Sequence, residues 1–432
     1  MSWRKVKLGE LVDNFSVRAK DVGGAEGLEF FGVSNEVGIT KTKYAAEDKA
    51  EDYKIIEQYC FAYNPYRVNV GSIGMVTENT KGLISPAYVV FKPKPNSIKA
   101  ELLLKFLKSS EGLRQIRFYA RGTVRQALRF EDLCNIELSL PDFDEQEILF
   151  EKLSSVEVES DLLNTELNYQ HDLLKQLRQA FLKEAMKGKL LKQDKKEGNA
   201  KELLQKIKEE KTKSGKKEKE LPPIKEEEIP FTIPDNWVWC RLGEICNYGS
   251  SPKAEPKDLT KSTWVLDLED IEKETSNLLC KIRFEERNSL STKSVFQKGE
   301  VLYSKLRPYL DKVIVADEDG VCTTEILPLK FYCNIDSYFL RYALKRTDFL
   351  NYVNSVTKGM KMPRLGTTEG RMALIPLPPL AEQKRIVKKL EEVMNLCEEL
   401  KTTITDNQNY TNQLLQVALK DALQMKEVEV EN

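Results

Sequence analysis

The constraint that decides most about this 432-residue chain is that its two halves repeat one plan. Trp3-Arg4-Lys5-Val6-Lys7-Leu8-Gly9-Glu10 returns as Trp237-Val238-Trp239-Cys240-Arg241-Leu242-Gly243-Glu244, a displacement of 234. Further on, Leu140-Pro141 and Glu145-Gln146 return as Leu377-Pro378 and Glu382-Gln383, a displacement of 237. Matches at both ends of a long segment, at nearly constant displacement, mark a duplicated unit whose middle has diverged. The fold must therefore be built from two similar parts.

Each copy opens with a mixed segment, residues 1–140 and 229–376. Tyr88–Phe91 and Lys312–Val315 have the short β-branched and aromatic runs of strands, while Ala100–Ser110 and Asp336–Lys345 have helical spacing. Two α+β modules are expected, with strand order left open. Each module is followed by a long helical segment, residues 141–191 and 377–432. A charged linker, 192–228, joins the copies, with one short helix at Ala200–Lys211.

From Asp142 to Gly188 neither proline nor glycine interrupts the chain, which allows a helix of about 45 residues, roughly 65–70 Å long. Leu149, Leu153, Val156, Ser160, Leu163, Leu167, Gln170, Leu174 and Leu177 follow the three-four alternation of a coiled-coil seam. The second copy repeats it 237 residues later through Ile386, Leu390, Val393, Cys397, Leu400, Ile404, Asn407, Thr411 and Leu414. Such stripes need a partner, so the two helices are expected to pack together. In an antiparallel pair that sets Leu149 against Ala418, Gln170 would meet Cys397 and Ser160 would meet Asn407.

Apolar residues make up 41% and charged residues 31% of the chain, and its formal net charge is −1. That balance excludes coating of nucleic acid by bulk charge and requires any contact to come from local patches. The candidates sit at matching places. Arg121-Gly122-Thr123-Val124-Arg125-Gln126 and Lys358-Gly359-Met360-Lys361-Met362-Pro363-Arg364 are basic, glycine-bearing turns just ahead of each Leu-Pro boundary. Arg114, Arg117 and Arg121 share one helix face, and Arg125 and Arg129 follow. Arginine suits both phosphates and guanine edges, although charge runs of this kind are more often solvated helix faces. A second set, Tyr63, Asn64, Tyr66 and Arg67 in the first module and Ser304, Lys305, Arg307 and Tyr309 in the second, mixes charge, amide or hydroxyl, and aromatic groups after a strand-like run.

Other chemistry finds little support. Eight scattered cysteines without a Cys-x-x-Cys pair, and a single histidine, His171, argue for reduced, mostly buried thiols and against a metal site. No phosphate-binding Gly-x-x-x-x-Gly-Lys-Ser/Thr loop or dinucleotide fingerprint is present. Asn64-Pro65-Tyr66 resembles the Asn-Pro-Pro-Tyr motif of amino-methyltransferases but lacks its second proline, and no glycine-rich AdoMet motif accompanies it. No apolar run has the length of a membrane span and the start lacks a signal segment, so a cytoplasmic location is expected.

Ile375 to Val387, Leu140 to Gln146, Gly188-Lys189-Leu190-Leu191 and the Glu228 to Glu244 run resemble the specificity (S) subunit of type I restriction-modification systems, over essentially the whole length. The resemblance implies an α+β fold in which two globular target recognition domains are joined by two long helices in an antiparallel coiled coil with a pseudo-twofold repeat. It implies a non-catalytic subunit that reads an asymmetric bipartite site in double-stranded DNA and docks two modification (methyltransferase) subunits. AdoMet then belongs to those partners and ATP to restriction subunits that can join them, with no cofactor in this chain. Asp142-Phe143-Asp144 departs from Pro379-Leu380-Ala381 in the second copy, which bears on whether the two partners dock identically. The alternatives are a self-contained DNA methyltransferase or nuclease and a coiled-coil scaffold that binds only proteins.

Overall fold

A computed structural model describes residues 3–35, 37–42, 47–122, 126–213, 220–287, 290–359 and 361–422. The chain divides into two compact units, Met1–Tyr169 with Ile404–Asn432, and Gln170–Thr403.

In the first unit the repeated ends of the module are hydrogen-bonded to each other. Strand Arg4–Lys7 runs antiparallel to Glu137–Leu140, with Arg4 opposite Leu140. A four-stranded sheet places Phe61–Tyr63 between Ile73–Met75 and Val89–Pro93, with Val12–Asn14 at the edge. In a second sheet Gly82–Ile84 lies between a parallel partner, Glu29–Ser34, and an antiparallel one, Lys54–Ile56. Strand Gly38–Lys41 extends that sheet beyond Glu29–Ser34. Helices Ala100–Lys108 and Ser110–Tyr119 cover the first sheet, burying Leu102, Leu103, Phe106 and Ile116 with Phe61, Tyr63 and Phe91.

The second unit repeats this scheme although its middle sequence has diverged. Val238–Arg241 pairs antiparallel with Leu374–Leu377. Val301–Ser304 lies between Val313–Val315 and Ile326–Leu329. Gly320–Cys322 lies between a parallel partner, Trp264–Leu266, and an antiparallel one, Lys293–Phe296, which Lys253–Ala254 extends. The three-strand core of each sheet is thus common to both modules; among the described residues Val12–Asn14 has no counterpart strand in the second module's three-stranded sheet, and the fourth strand of the other sheet sits on a different edge. Burial pattern rather than residue identity is what a sheet needs, so the topology survived where the letters did not.

The long helices are Glu145–Met186 and Leu380–Ala422, 42 and 43 residues. Their ends belong to the module cores. Leu149, Leu153 and Leu419 join the first core, with Leu415 packed against it, while Leu182, Ala185, Met186, Ile386, Val387 and Leu390 join the second. Each unit therefore holds an antiparallel pair: Asn164 Nδ2 donates to Asn412 Oδ1 at 3.4 Å and Gln408 Nε2 to Asn168 Oδ1 at 2.9 Å in the first. In the second, Arg178 meets Glu398 at 3.1 Å. These polar pairs fix a register nine positions away from the expected Leu149–Ala418 match.

The seam also differs from a strict heptad. Leu149, Leu153, Leu167, Leu174, Ile386, Leu390 and Ile404 are buried, and Val156 and Val393 half-buried, as expected. Leu163, Leu177, Leu400 and Leu414 are instead exposed, at 48, 42, 44 and 69%. Inward positions pass to Asn164, Arg178, Lys401 and Leu415, one residue later. A straight helix turns every 3.6 residues and drifts about 20° per heptad, so a 3.5 repeat leaves the interface. The eleven-residue series Leu149, Ser160, His171, Leu182 and its copy Ile386, Cys397, Gln408, Leu419 stay inward, buried or half-buried throughout.

The segment between the copies is more attached than a solvated linker. Helix Ala200–Lys213 buries Ala200 and Ile207. Arg241, 2% exposed, donates to the carbonyls of Pro222 and Pro223 and binds both carboxylate oxygens of Glu228 at 3.1 and 2.9 Å. Glu197 binds Arg385 through both oxygens at 2.6 and 2.7 Å.

Candidate nucleic-acid interface

The strand Phe61–Tyr63 ends in a buried tyrosine, after which the chain turns outward. Asn64 faces its own loop, with Oδ1 accepting the Tyr66 N–H at 3.0 Å, a side-chain turn typical of Asn. Tyr66 and Arg67 are thereby left exposed. Arg121 and Ala127 pair beside this loop: the Arg121 N–H donates to the Ala127 carbonyl at 3.0 Å and the Ala127 N–H to the Arg121 carbonyl at 2.8 Å. The Leu128 N–H then donates to the Pro65 carbonyl at 3.0 Å, and Tyr63 Oη to the Leu128 carbonyl at 3.3 Å. Burial pushes the Tyr63 phenol far above its ordinary range, so it stays a donor.

The second module builds the same arrangement from different residues. The Arg364 N–H donates to the Lys358 carbonyl at 3.0 Å, and the Lys358 N–H to the Arg364 carbonyl at 3.4 Å, pairing these two residues. The Leu365 N–H donates to the Lys305 carbonyl at 2.9 Å and the Arg307 N–H to Pro363 at 2.8 Å. Both closed turns carry glycine at the second position with positive φ, 135° at Gly122 and 109° at Gly359. Side chains resist such φ values, which is why this residue type recurs there.

The structure brings the two sets of candidates together in each unit. Arg67, Arg117, Arg121 and Gln126 lie exposed around the first turn; Arg307, Lys358, Lys361 and Arg364 around the second, with Lys305 half-buried. Thr123 and Arg125 lie outside the described residues. Arg114, on the Arg117 helix, binds both oxygens of Glu111 at 2.7 Å and is a local helix pair. Arg117 Nε donates to the Asn69 carbonyl at 3.2 Å. Among the described residues Arg67, Arg129, Lys305, Arg307 and Lys361 have no carboxylate partner, which leaves positive charge available to phosphates.

The loop of the second module is strained and held. Arg307 and Asp311 adopt left-handed backbone, φ 48° and 50°, on either side of the turn Pro308–Leu310. Lys345 pins it, with Nζ 2.7 Å from Asp311 Oδ2 and donating at 2.8 Å to Ser276 Oγ and the Glu274 carbonyl. Burial pushes the Asp311 carboxyl up to about 6 against the opposing pull of Lys345, and pushes Lys345 down. Strain kept by such fixing concentrates at functional sites.

Sequence reasoning missed the carboxylates behind the arginines. Arg121 Nε lies 3.0 Å from Asp132 Oδ1, and Arg364 Nε donates to Glu325 Oε1 and Oε2 at 3.2 and 3.1 Å. Lys358 Nζ meets Glu369 at 3.2 Å. Glu369 is held below the ordinary range first by its own backbone N–H and then by Lys358. Nothing in the spacing of Asp132 or Glu325 signals these pairs. The Glu-Gln repeat did carry a signal, of attachment rather than of helix dipole alone. Gln146 Oε1 accepts the Lys99 N–H at 2.9 Å and Gln383 Oε1 the Asp336 N–H at 3.0 Å, equivalent helix starts 237 residues apart. Glu382, fully buried, accepts from Gln193, Asn236 and the Trp237 indole.

Among the described residues no helix is long and apolar enough to cross a membrane, and no cluster of His, Cys, Asp or Glu could hold a metal ion. Five cysteines are buried, Cys134 and Cys333 are partly covered, and Cys280 is exposed.

Two modules with matched basic turns, each anchored on an antiparallel helix pair, define a repeat-built recognition protein without a visible reaction centre among the described residues. The chain belongs to the type I restriction modification DNA specificity domain family, whose model matches residues 2–169 and again 234–407. It is a specificity subunit, the DNA-recognition component of a type I restriction-modification system. It is 26% identical over 423 residues to the type I restriction enzyme EcoDI specificity subunit of Escherichia coli, covering 98% of this chain and 88% of that one. The EcoAI specificity subunit of the same organism is 29% identical over 270 residues, 57% of this chain and 43% of the relative. Two solved structures share the fold at 18% identity, each covering 98% of this chain and 97% of the other. One is the HsdS subunit from Thermoanaerobacter tengcongensis, TM-score 0.56; the other comes from work on complex assembly and conformational transition of the type I R-M system, TM-score 0.65.

Proposed function

We propose that each unit reads one half of an asymmetric, bipartite site in double-stranded DNA, and that two modification subunits dock on the helix pairs. The observation that carries this reading is the closed basic turn bonded to an exposed aromatic-basic loop, built at the same place in both modules from different side chains. Equal scaffolds set equal approaches to the duplex; different side chains read different bases, so the site is not a palindrome. The DNA-contacting groups are Arg67, Arg117, Arg121, Thr123, Arg125 and Gln126 in the first module and Lys305, Arg307, Lys358, Lys361 and Arg364 in the second. Asn64 shapes its loop.

Docking is supported by the displaced leucines. Leu163 and Leu414 stand exposed in the first unit, Leu177 and Leu400 in the second, and the repeat relates Leu163 to Leu400 and Leu177 to Leu414. Apolar surface kept at equivalent places suits two copies of one partner. The chain itself carries no chemistry: AdoMet is held by the modification subunits, and ATP by restriction subunits where these join.

Reconstitution tests the assignment. The chain with its modification subunits should bind and methylate DNA in a sequence-selective way, the partners alone should not, and the chain alone should transfer no methyl group from AdoMet. Methyl transfer or DNA cleavage by the isolated chain would make it an enzyme; an assembled complex blind to sequence would make it a scaffold.

A further inference from the structure

The cations around the two turns are not equivalent. Arg67, Arg129, Arg307 and Lys361 are exposed and, among the described residues, have no carboxylate partner, whereas Arg121 and Arg364 each face a carboxylate. Nε is the contacting atom in both: in Arg364 it donates to both Glu325 oxygens, and in Arg121 it lies 3.0 Å from Asp132 Oδ1 as an ion pair. A guanidinium has five N–H donors, and holding it at Nε leaves the four donors of the two terminal nitrogens as a fork facing away from the carboxylate. That fork matches the paired acceptors O6 and N7 of guanine in the major groove.

The carboxylates are themselves fixed. Asp132, 7% exposed, stands in the short helix Phe130–Leu133 that follows the first turn. The Glu325 carbonyl accepts the Lys305 N–H at 3.0 Å, so the residue that holds Arg364 is bonded to the neighbouring recognition loop. Arg121 remains 78% and Arg364 49% exposed in their side chains, so both heads are held yet reachable. A charge-assisted bond fixes orientation before DNA arrives, which lowers the ordering cost of a directional contact. A phosphate can be approached by a mobile cation from many directions, so a clamp adds more to a base contact than to a phosphate contact.

We infer that Arg121 and Arg364 each read a guanine, one in each half-site, and that Asp132 and Glu325 are their positioning residues. This rests on the bipartite reading above and adds the base and the residue that recognises it. The two buttresses come from different places in the two modules, Asp132 after the turn and Glu325 on a separate strand connection, so the shared geometry is not a simple inheritance of the duplicated sequence.

The test maps methylated sites in DNA from cells carrying the chain with its partners, for the natural protein and for Arg364→Lys, Glu325→Gln, Arg121→Lys, Asp132→Asn and Lys361→Gln. The natural map should show a G·C pair in each half. Arg364→Lys should relax one G·C position of the second half by about 5- to 150-fold and leave the first half intact. Glu325→Gln should relax that same position by less, a result that a purely structural role would not confine to one base pair. Arg121→Lys and Asp132→Asn should do the same in the first half. Intact reading of the other half reports that the variant complex has assembled. Lys361→Gln, the loss of a phosphate contact, should weaken binding on all sequences alike and lower the salt slope by about one, without relaxing any single base position.

Where a variant abolishes methylation, salt titration of the purified complex decides. Weaker binding to the cognate site alone, at unchanged salt slope, supports base reading. Equal weakening on all sequences, with the slope reduced by about one, makes the arginine a phosphate contact and overturns the inference. Relaxation spread over both halves, or a half-site without any G·C pair, overturns it as well. A natural map that is not bipartite would instead refute the reading on which it rests.

Discussion

Gln146 and Gln383 show what a single side chain can do in a duplicated frame. Both are nearly or wholly inaccessible, each accepts the first free N–H of a module helix, and each donates to the carbonyl of its own Leu-Pro turn, Pro141 at 3.3 Å and Pro378 at 2.9 Å. Alanine at either position leaves a buried backbone N–H and a carbonyl without these partners. Each substitution should destabilise its unit by about 1–3 kcal/mol, read as a shift in the denaturation midpoint. A change within error at both positions would mean that water takes over these bonds. The residues were legible as a repeat, because attachment constrains identity. Asp132 and Glu325 were not legible, because a carboxylate that meets an arginine across a loop leaves no periodic trace.

At the scale of elements, the long helices were readable from the absence of proline and glycine. Their inward face was only partly readable. Leu163, Leu177, Leu400 and Leu414 fit a heptad on paper, but the helices keep the 3.6-residue turn and present Asn164, Arg178, Lys401 and Leu415 inward instead. This yields a contrast between neighbours. Leu167→Ala removes a leucine that is 4% exposed and should cost about 2–5 kcal/mol in unfolding free energy. Leu163→Ser with Leu414→Ser should change stability by no more than about 0.5 kcal/mol per site. The same double change should reduce the number of modification subunits captured per chain from two to one, measured as the mass of the purified complex. Retention of both partners would remove these leucines from the docking surface. Sheet order was beyond sequence reasoning, since the strands of each second sheet pair across long separations and include one parallel pair apiece.

For the whole molecule, the duplication places constancy where modules are closed and attached, and variation where surfaces face a ligand. The repeated ends are the strands that pair with each other and the helix starts that enter each core. The diverged middles nevertheless return the same sheet cores, so freedom in sequence is freedom of side chains on a kept frame. Separate reading heads on a common plan predict separability. The most direct measurement replaces residues 1–140 by the corresponding module of a relative with a different target and maps methylated bases across DNA from cells carrying the hybrid and its partners. The predicted map keeps one half-site and the spacing unchanged while the other half-site takes on a new sequence. A hybrid that assembles and methylates but changes both half-sites together, or neither, would contradict the claim that each module reads its own half.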